Sequence, residues 1–212
     1  MTSWDILAIA AVLLLGVPHG GLDGAIARRI GWPIGLISWL SFHLAYIALA
    51  IMVTVLWWLF PLVSLGVFLV ISALHFGASD IADIGRDWLP WIAHGGLVCV
   101  AIPSLQPSLV EPIFSILVNA GNAQLLMEAI AGLFYIWVGA VVCYCGYGYF
   151  RPQYRKSLLG LLLLITLVAL LPPLVSFALY FCLWHSPGHM LRLWRSLKRS
   201  ERRQSLREAG FY

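Results

Sequence analysis

The chain has 212 residues, of which 61% are hydrophobic and 10% charged, with a formal net charge of +4. That balance excludes a soluble globular domain and points to an integral membrane protein. The thirteen Lys and Arg residues stand in a few short stretches beside apolar segments, which reads as an orientation signal and excludes nucleic acid as a partner class.

A bilayer core requires about 20 apolar residues per helix. In chain order the apolar stretches predict seven spans: Trp4 to His19, Pro33 to Leu59, Leu62 to Phe76, Trp88 to Ile102, Leu125 to Tyr149, Ser157 to Leu171 and Leu174 to Leu191. Ile6 to Val17 has signal-peptide length, yet Asp5 and the lack of Lys or Arg before it predict a retained first span. Pro61 separates the second span from the third, and Pro172-Pro173 the sixth from the seventh, because proline removes a helical donor and clashes with the preceding turn. The stretch Pro103 to Gln124, interrupted by Pro107, Pro112 and Gly121, predicts an outer loop with a short apolar piece. The expected architecture is an all-α polytopic membrane helix bundle. It has one transmembrane domain over 1–191 and a basic tail over 192–212. Leu193, Trp194, Leu197 and Leu206 suit that tail to an interfacial helix on anionic membrane lipid.

One kinked helix through Pro172-Pro173 would give six spans instead, and the basic residues arbitrate. With seven spans, Arg28 and Arg29, Arg86, Arg151, Arg155 and Lys156, and the seven charges from Arg192 to Arg207 all fall on one side. Lys and Arg favour the cytoplasmic side, so the chain is expected in the cell membrane, multi-pass, with its amino terminus outside and its carboxyl terminus cytoplasmic.

The same topology brings four of the six histidines to one depth. His19 lies in Pro18-His19-Gly20-Gly21-Leu22-Asp23, His75 in His75-Phe76-Gly77-Ala78-Ser79-Asp80, and His185 and His189 in His185-Ser186-Pro187-Gly188-His189. Polar side chains at membrane depth are costly without partners, which makes these residues candidates for a metal site and their glycines and prolines candidates for helix breaks. Neutral imidazole binds Zn, Cu, Fe and Ni, and a set of histidines without carboxylate leaves the full divalent charge on the metal, which suits non-haem Fe(II) handling O2 beside an apolar substrate. Asp23, four residues after His19, and Asp80, five after His75, are placed to orient those ligands from outside the coordination sphere. His185 and His189 have the i, i+4 spacing of a helical metal pair, but no Glu follows His185, so metallopeptidase chemistry is not supported. His43 and His94, alone in their spans, read as interhelical hydrogen-bond donors, and Gly95-Gly96 as a site of close helix packing.

The four cysteines lie in apolar segments and match no redox or zinc spacing, so they read as small buried hydrophobes. The tryptophans, among them Trp57, Trp58, Trp88 and Trp91, read as interface belt and core packing. A retinal-binding receptor or pump needs a Schiff-base lysine inside a span, and the only lysines are Lys156 and Lys198 at the basic face. A di-iron histidine-box oxygenase needs several more histidines than six. The remaining alternative is a membrane metal- or haem-binding protein, an electron carrier or metal transporter.

In its PHG-x-x-D motif (Pro18, His19, Gly20, Asp23), its HFG-x-x-D motif (His75, Phe76, Gly77, Asp80) and its paired H-x-x-x-H (His185, His189), the chain resembles the Brp/Blh family of microbial membrane carotene dioxygenases. The resemblance implies cleavage of beta-carotene at its central double bond by O2, giving two retinals. It also implies Fe(II) held by His19, His75, His185 and His189, with a carotenoid drawn from the bilayer; Phe76, Phe181 and Trp184 adjoin these ligands and are candidate polyene contacts, with core packing the commoner role of any one such aromatic. Family members continue past the last histidine pair into further apolar spans, where this chain carries its basic tail.

Overall fold

The computed structural model describes residues 2–16, 26–27, 31–32, 35–85 and 87–196. Every regular element among them is helical. The helices are α1 (Ser3–Ala11), α2 (Leu36–Leu59), α3 (Pro61–Asp80), α4 (Trp88–Leu105), α5 (Pro107–Val118), α6 (Ala120–Phe150), α7 (Arg155–Leu170), α8 (Pro173–Leu179) and α9 (Ser186–Ser196). The turns Val12–Gly16, Leu97–Ala101 and Tyr180–His185 are π-helical.

Five segments among the described residues are long and apolar enough to cross a membrane: Leu36–Leu59, Pro61–Asp80, Trp88–Leu105, Ala120–Phe150 and Pro152–Leu170. Seven were expected. The first expected span appears as a shorter apolar helix over Ser3–Leu15. The seventh appears as the run from α8 through Tyr180–His185 into α9, whose histidines, serines and Arg192 dilute its apolar character. The stretch read as an outer loop is instead largely helical, with α5 starting on Pro107, where a missing N–H costs nothing, and enclosing Pro112.

The three π-helical turns share a sequence cause. Each ends two residues before a proline: Gly16 before Pro18, Ala101 before Pro103 and His185 before Pro187. Proline leaves the carbonyl four positions back without its donor and presses against it, and widening that turn relieves both problems. Pro187-Gly188 was read as the break itself. The irregular backbone instead lies just before it, and α9 runs on through both residues.

At the centre is α4, flanked by α3, α6 and α7, with α1 packed on α8 and α2 resting mainly against α3. No residue of α2 is fully buried among the described residues, so most of its apolar surface faces outward. The close approach of α4 to its neighbours needs glycine. A Cβ at Gly95 would strike the Ala73 carbonyl of α3, and one at Gly96 the Trp137 indole of α6. Indole N–H groups tie the helices together: Trp91 donates to Leu74 O at 2.8 Å, Trp137 to Ala93 O at 2.9 Å and Trp57 to Leu117 O at 3.1 Å. At the far end of α7, Gln106 donates to the carbonyls of Val168 and Leu171, which have no helical donor ahead of them.

The other end of the bundle gathers the charges. Tyr147 and Tyr154 donate to Asp87 Oδ2, the former at 2.6 Å, Arg151 lies over the Tyr147 ring, and Arg155 donates to Tyr149 O. The Tyr147 bond first, then that from Tyr154, holds the Asp87 carboxyl below the usual carboxylate range. Arg192 of α9 reaches Asp83 at 3.5 Å, so the basic residues described here share the end at which α3 finishes.

Candidate metal centre

The site is organised by α3, α9 and the π turn between α8 and α9. In a helix, residues four apart share a face, so α3 presents two adjacent columns, His75 with Ser79 and Phe76 with Asp80. The first column meets His189. The His75 and His189 ring centroids are 5.5 Å apart, and Ser79 Oγ is 3.2 Å from His189 Nδ1. The second column meets His185, with Phe76 edge-on to it at 4.7 Å and Asp80 Oδ1 2.9 Å from its Nδ1. His185 and His189 stack nearly parallel, 6.1 Å apart.

Two imidazole nitrogens converge. His75 Nε2 and His185 Nε2 face each other at 3.3 Å. Two nitrogens bound to one ion at about 2.1 Å stand about 3.0 to 3.4 Å apart, so this separation fits a shared cation. His185 donates its Nδ1 proton to Asp80, which leaves a lone pair on Nε2 and fixes the ring's orientation. Ser79 Oγ accepts from Arg192 Nη2 at 2.8 Å and, with His189 protonated at Nδ1, accepts there too, which keeps His189 Nε2 as a lone pair. Among the described residues, no three His, Cys, Asp or Glu side chains are grouped closely enough to hold a metal ion. His19 and Asp23 lie outside the described residues, although the last described turn before them, Val12–Gly16, packs against Tyr180–His185.

Asp80 was expected to serve His75, across a turn. It serves His185 instead, because α3 continues unbroken to Asp80 and turns that carboxylate onto the neighbouring column. The expected helix break at the His75 motif is therefore absent. Gly77 is needed for packing, since a Cβ there would overlap the Trp91 indole of α4.

Two further groups complete the surroundings of Asp80. The Tyr180 hydroxyl donates to Asp80 Oδ2 at 2.8 Å. His94 of α4 places Nδ1 3.8 Å from the same oxygen, and its Nε2 lies 2.9 Å from Ser157 Oγ of α7. His94 thus bonds to a neighbouring helix as expected, though as the acceptor of the Ser157 hydroxyl when its own proton is on Nδ1. His43 makes none among the described residues; its Nδ1 lies 2.8 Å from Trp39 O of its own helix. Tyr180, Ser79 and Arg192 were missed from sequence. Ser79 stands four residues after His75, a spacing that could have found it. Tyr180 stands five before His185, and on a regular α-helix that spacing turns the two about 140° apart. Only the π turn brings both to Asp80.

Of the expected polyene contacts, Phe76 is buried against His185, and Phe181 stacks on the same ring with centroids 5.8 Å apart. Trp184 is 39% exposed and lies over Gly160 of α7. Cys99 and Cys182 are buried, Cys145 is half-buried and Cys143 faces outward, and none of the four forms a disulfide.

The fold and site define an all-α membrane protein with imidazoles converging inside the bundle, close to its charged end. The sequence profile of the beta-carotene 15,15'-dioxygenase family matches residues 10–210. The chain is 37% identical over 205 residues to the beta-carotene 15,15'-dioxygenase of uncultured marine bacterium 66A03, an alignment that covers 92% of this chain and 71% of that one. It is 25% identical over 207 residues to the probable beta-carotene 15,15'-dioxygenase Blh of Halobacterium salinarum (strain ATCC 700922 / JCM 11081 / NRC-1), covering 87% of this chain and 60% of the relative. No solved structure matches. The chain belongs to the beta-carotene 15,15'-dioxygenase family.

Proposed function

We propose that this membrane enzyme cleaves beta-carotene at its central double bond, with His19, His75, His185 and His189 holding Fe(II). The reading rests on family membership and on one geometric observation, the two Nε2 atoms of His75 and His185 facing each other at 3.3 Å. Iron(II) bound there would supply an open coordination position for O2 and a redox-active ion to activate it, while the alkene provides the electrons that reduce it. The balance is simple. The central C=C and the O–O bond break, each carbon takes one oxygen, and two aldehydes form with no external reductant.

The protein's own part is position and exclusion. Asp80 holds His185 in one tautomer and orientation, and Ser79, itself held by Arg192, does the same for His189. Phe76 and Phe181 wall His185 with aromatic surface, which keeps water off the imidazole and offers faces to a polyene. Asp23 orients His19, and Trp184 meets the polyene beyond the histidines. The carotenoid enters from the bilayer. The charged end of the bundle faces the cytoplasm at the cell membrane, where the basic composition after α9 suits anionic lipid.

Expression in cells that accumulate beta-carotene tests this directly. Bleaching with retinal formation is expected from the wild type and not from His75→Ala. Iron-bearing wild-type protein that leaves the polyene intact would overturn the cleavage reading.

A further inference from the structure

Beyond the four histidines, a fifth belongs to a buried chain that ends on the site. We infer that His94 is a positioning residue, linked by Ser157 on one side to the Asp80 carboxylate on the other, and through Asp80 to His185. The inference rests on the reading of His185 as a metal ligand.

His94 is 1% exposed and sits on α4 between α3, α6 and α7, beside Gly95 and Gly96, which let α3 and α6 approach closely. Its Nε2 is satisfied by Ser157 Oγ at 2.9 Å. Its Nδ1 is wholly buried and has no hydrogen-bond partner among the described residues. A ring nitrogen buried in this way is costly unless it is matched to an acceptor. The acceptor it faces is Asp80 Oδ2 at 3.8 Å, on a carboxylate only 2% exposed. The tautomer that pairs both nitrogens takes the Ser157 O–H at Nε2 and points Nδ1–H at Asp80.

Asp80 is then faced by three groups on two elements. His185 donates to Oδ1, the Tyr180 hydroxyl to Oδ2, and His94 faces Oδ2 from α4. Among the described residues this carboxylate hydrogen-bonds the His185 ring at 2.9 Å. What fixes its rotation helps to fix the ring. Tyr180 and His185 share one π turn and move together, so they cannot anchor Asp80 against that turn. His94 stands on a different helix, the most buried span of the bundle, and supplies that anchor.

The test is a titration of the full chain in lipid nanodiscs with Co(II) as the probe, read from its visible ligand-field bands. His185→Ala should abolish the wild-type bands. Asp80→Asn should weaken binding about 10- to 100-fold, and His94→Gln or Ser157→Ala, one bond further away, about 3- to 10-fold with shifted bands. His94→Asn places an amide donor where Nδ1 stood and should remain within about twofold of wild type, a rescue that a purely space-filling role would not produce. His94→Gln with wild-type affinity and bands overturns the inference. If His94→Gln does not fold, Ser157→Ala decides by the same criterion. Wild-type protein that shows no Co(II) bands would sink the metal reading itself, which is distinct from a wild type that binds while the His94 and Ser157 variants match it.

Discussion

His185 Nδ1 and Asp80 Oδ1 lie 2.9 Å apart, on side chains that are 0% and 2% exposed, although 105 positions separate them in the sequence. A carboxylate so far from water persists because donors surround it, and the imidazole it holds is thereby fixed in tautomer and direction. Asp80→Asn keeps the shape and removes the charge. Iron content after purification and the rate of retinal formation should both fall, by about 10- to 100-fold in metal affinity. Wild-type iron content in this variant would show that the carboxylate does not orient the ligand.

Phe76 is buried and its edge meets the His185 ring at 4.7 Å. Phe76→Ala should cost about 3 to 5 kcal/mol, the range for a large core truncation. Phe181→Ala, at a half-buried position, should cost less. Thermal unfolding in detergent ranks the two, and equal losses would contradict the packing described above.

Gly95→Ala places a methyl group against the Ala73 carbonyl, and backbone cannot step aside as a side chain can. Separating α3 from α4 should destabilise the protein by about 1 to 3 kcal/mol or more and reduce activity, because α3 carries His75 and Asp80. Gly139→Ala is the control. Nothing lies within 4 Å of a Cβ there, and a helical glycine replaced by alanine should gain about 0.5 to 1 kcal/mol. A Gly95→Ala variant that melts at the wild-type temperature would overturn the close-approach argument.

Asp87 accepts from Tyr147 and Tyr154, and its carboxyl is held below the ordinary range by these bonds, Tyr147 first. A folded-state pKa lowered in this way adds stability above the unfolded pKa of about 3.9, and that stability is lost as pH falls through the folded value. Melting temperature should therefore drop on acidification below about pH 4, partly through this group. Asp87→Asn should lower the melting temperature at pH 7 and flatten the acid limb. An acid limb as steep as that of the wild type would show that Asp87 does not contribute to it.

The all-α membrane class was legible from composition, and the grouping of His75, His185 and His189 from their motifs, because hydrophobic content and motif spacing are properties of the chain itself. Span number was less legible. Length rules treat each apolar run alone, whereas Pro107–Val118 forms a short helix packed against α6, and the α8 to α9 run buries polar groups that lower its apparent hydropathy. The π turns could have been anticipated from the prolines that follow them, but not which residues they would turn inward.

What the sequence alone determined was therefore the class: a membrane helix bundle, its family, and the motifs whose imidazoles of His75, His185 and His189 lie near one another. What only the tertiary structure decided was pairing. Asp80 serves His185 and not its near neighbour His75, Tyr180 reaches the same carboxylate through a widened turn, and His94 approaches it from another helix. The physical reason is that helix phase and interhelical distance set which faces meet. Those depend on glycines at contacts and on prolines that shift the phase, in helices far apart along the chain.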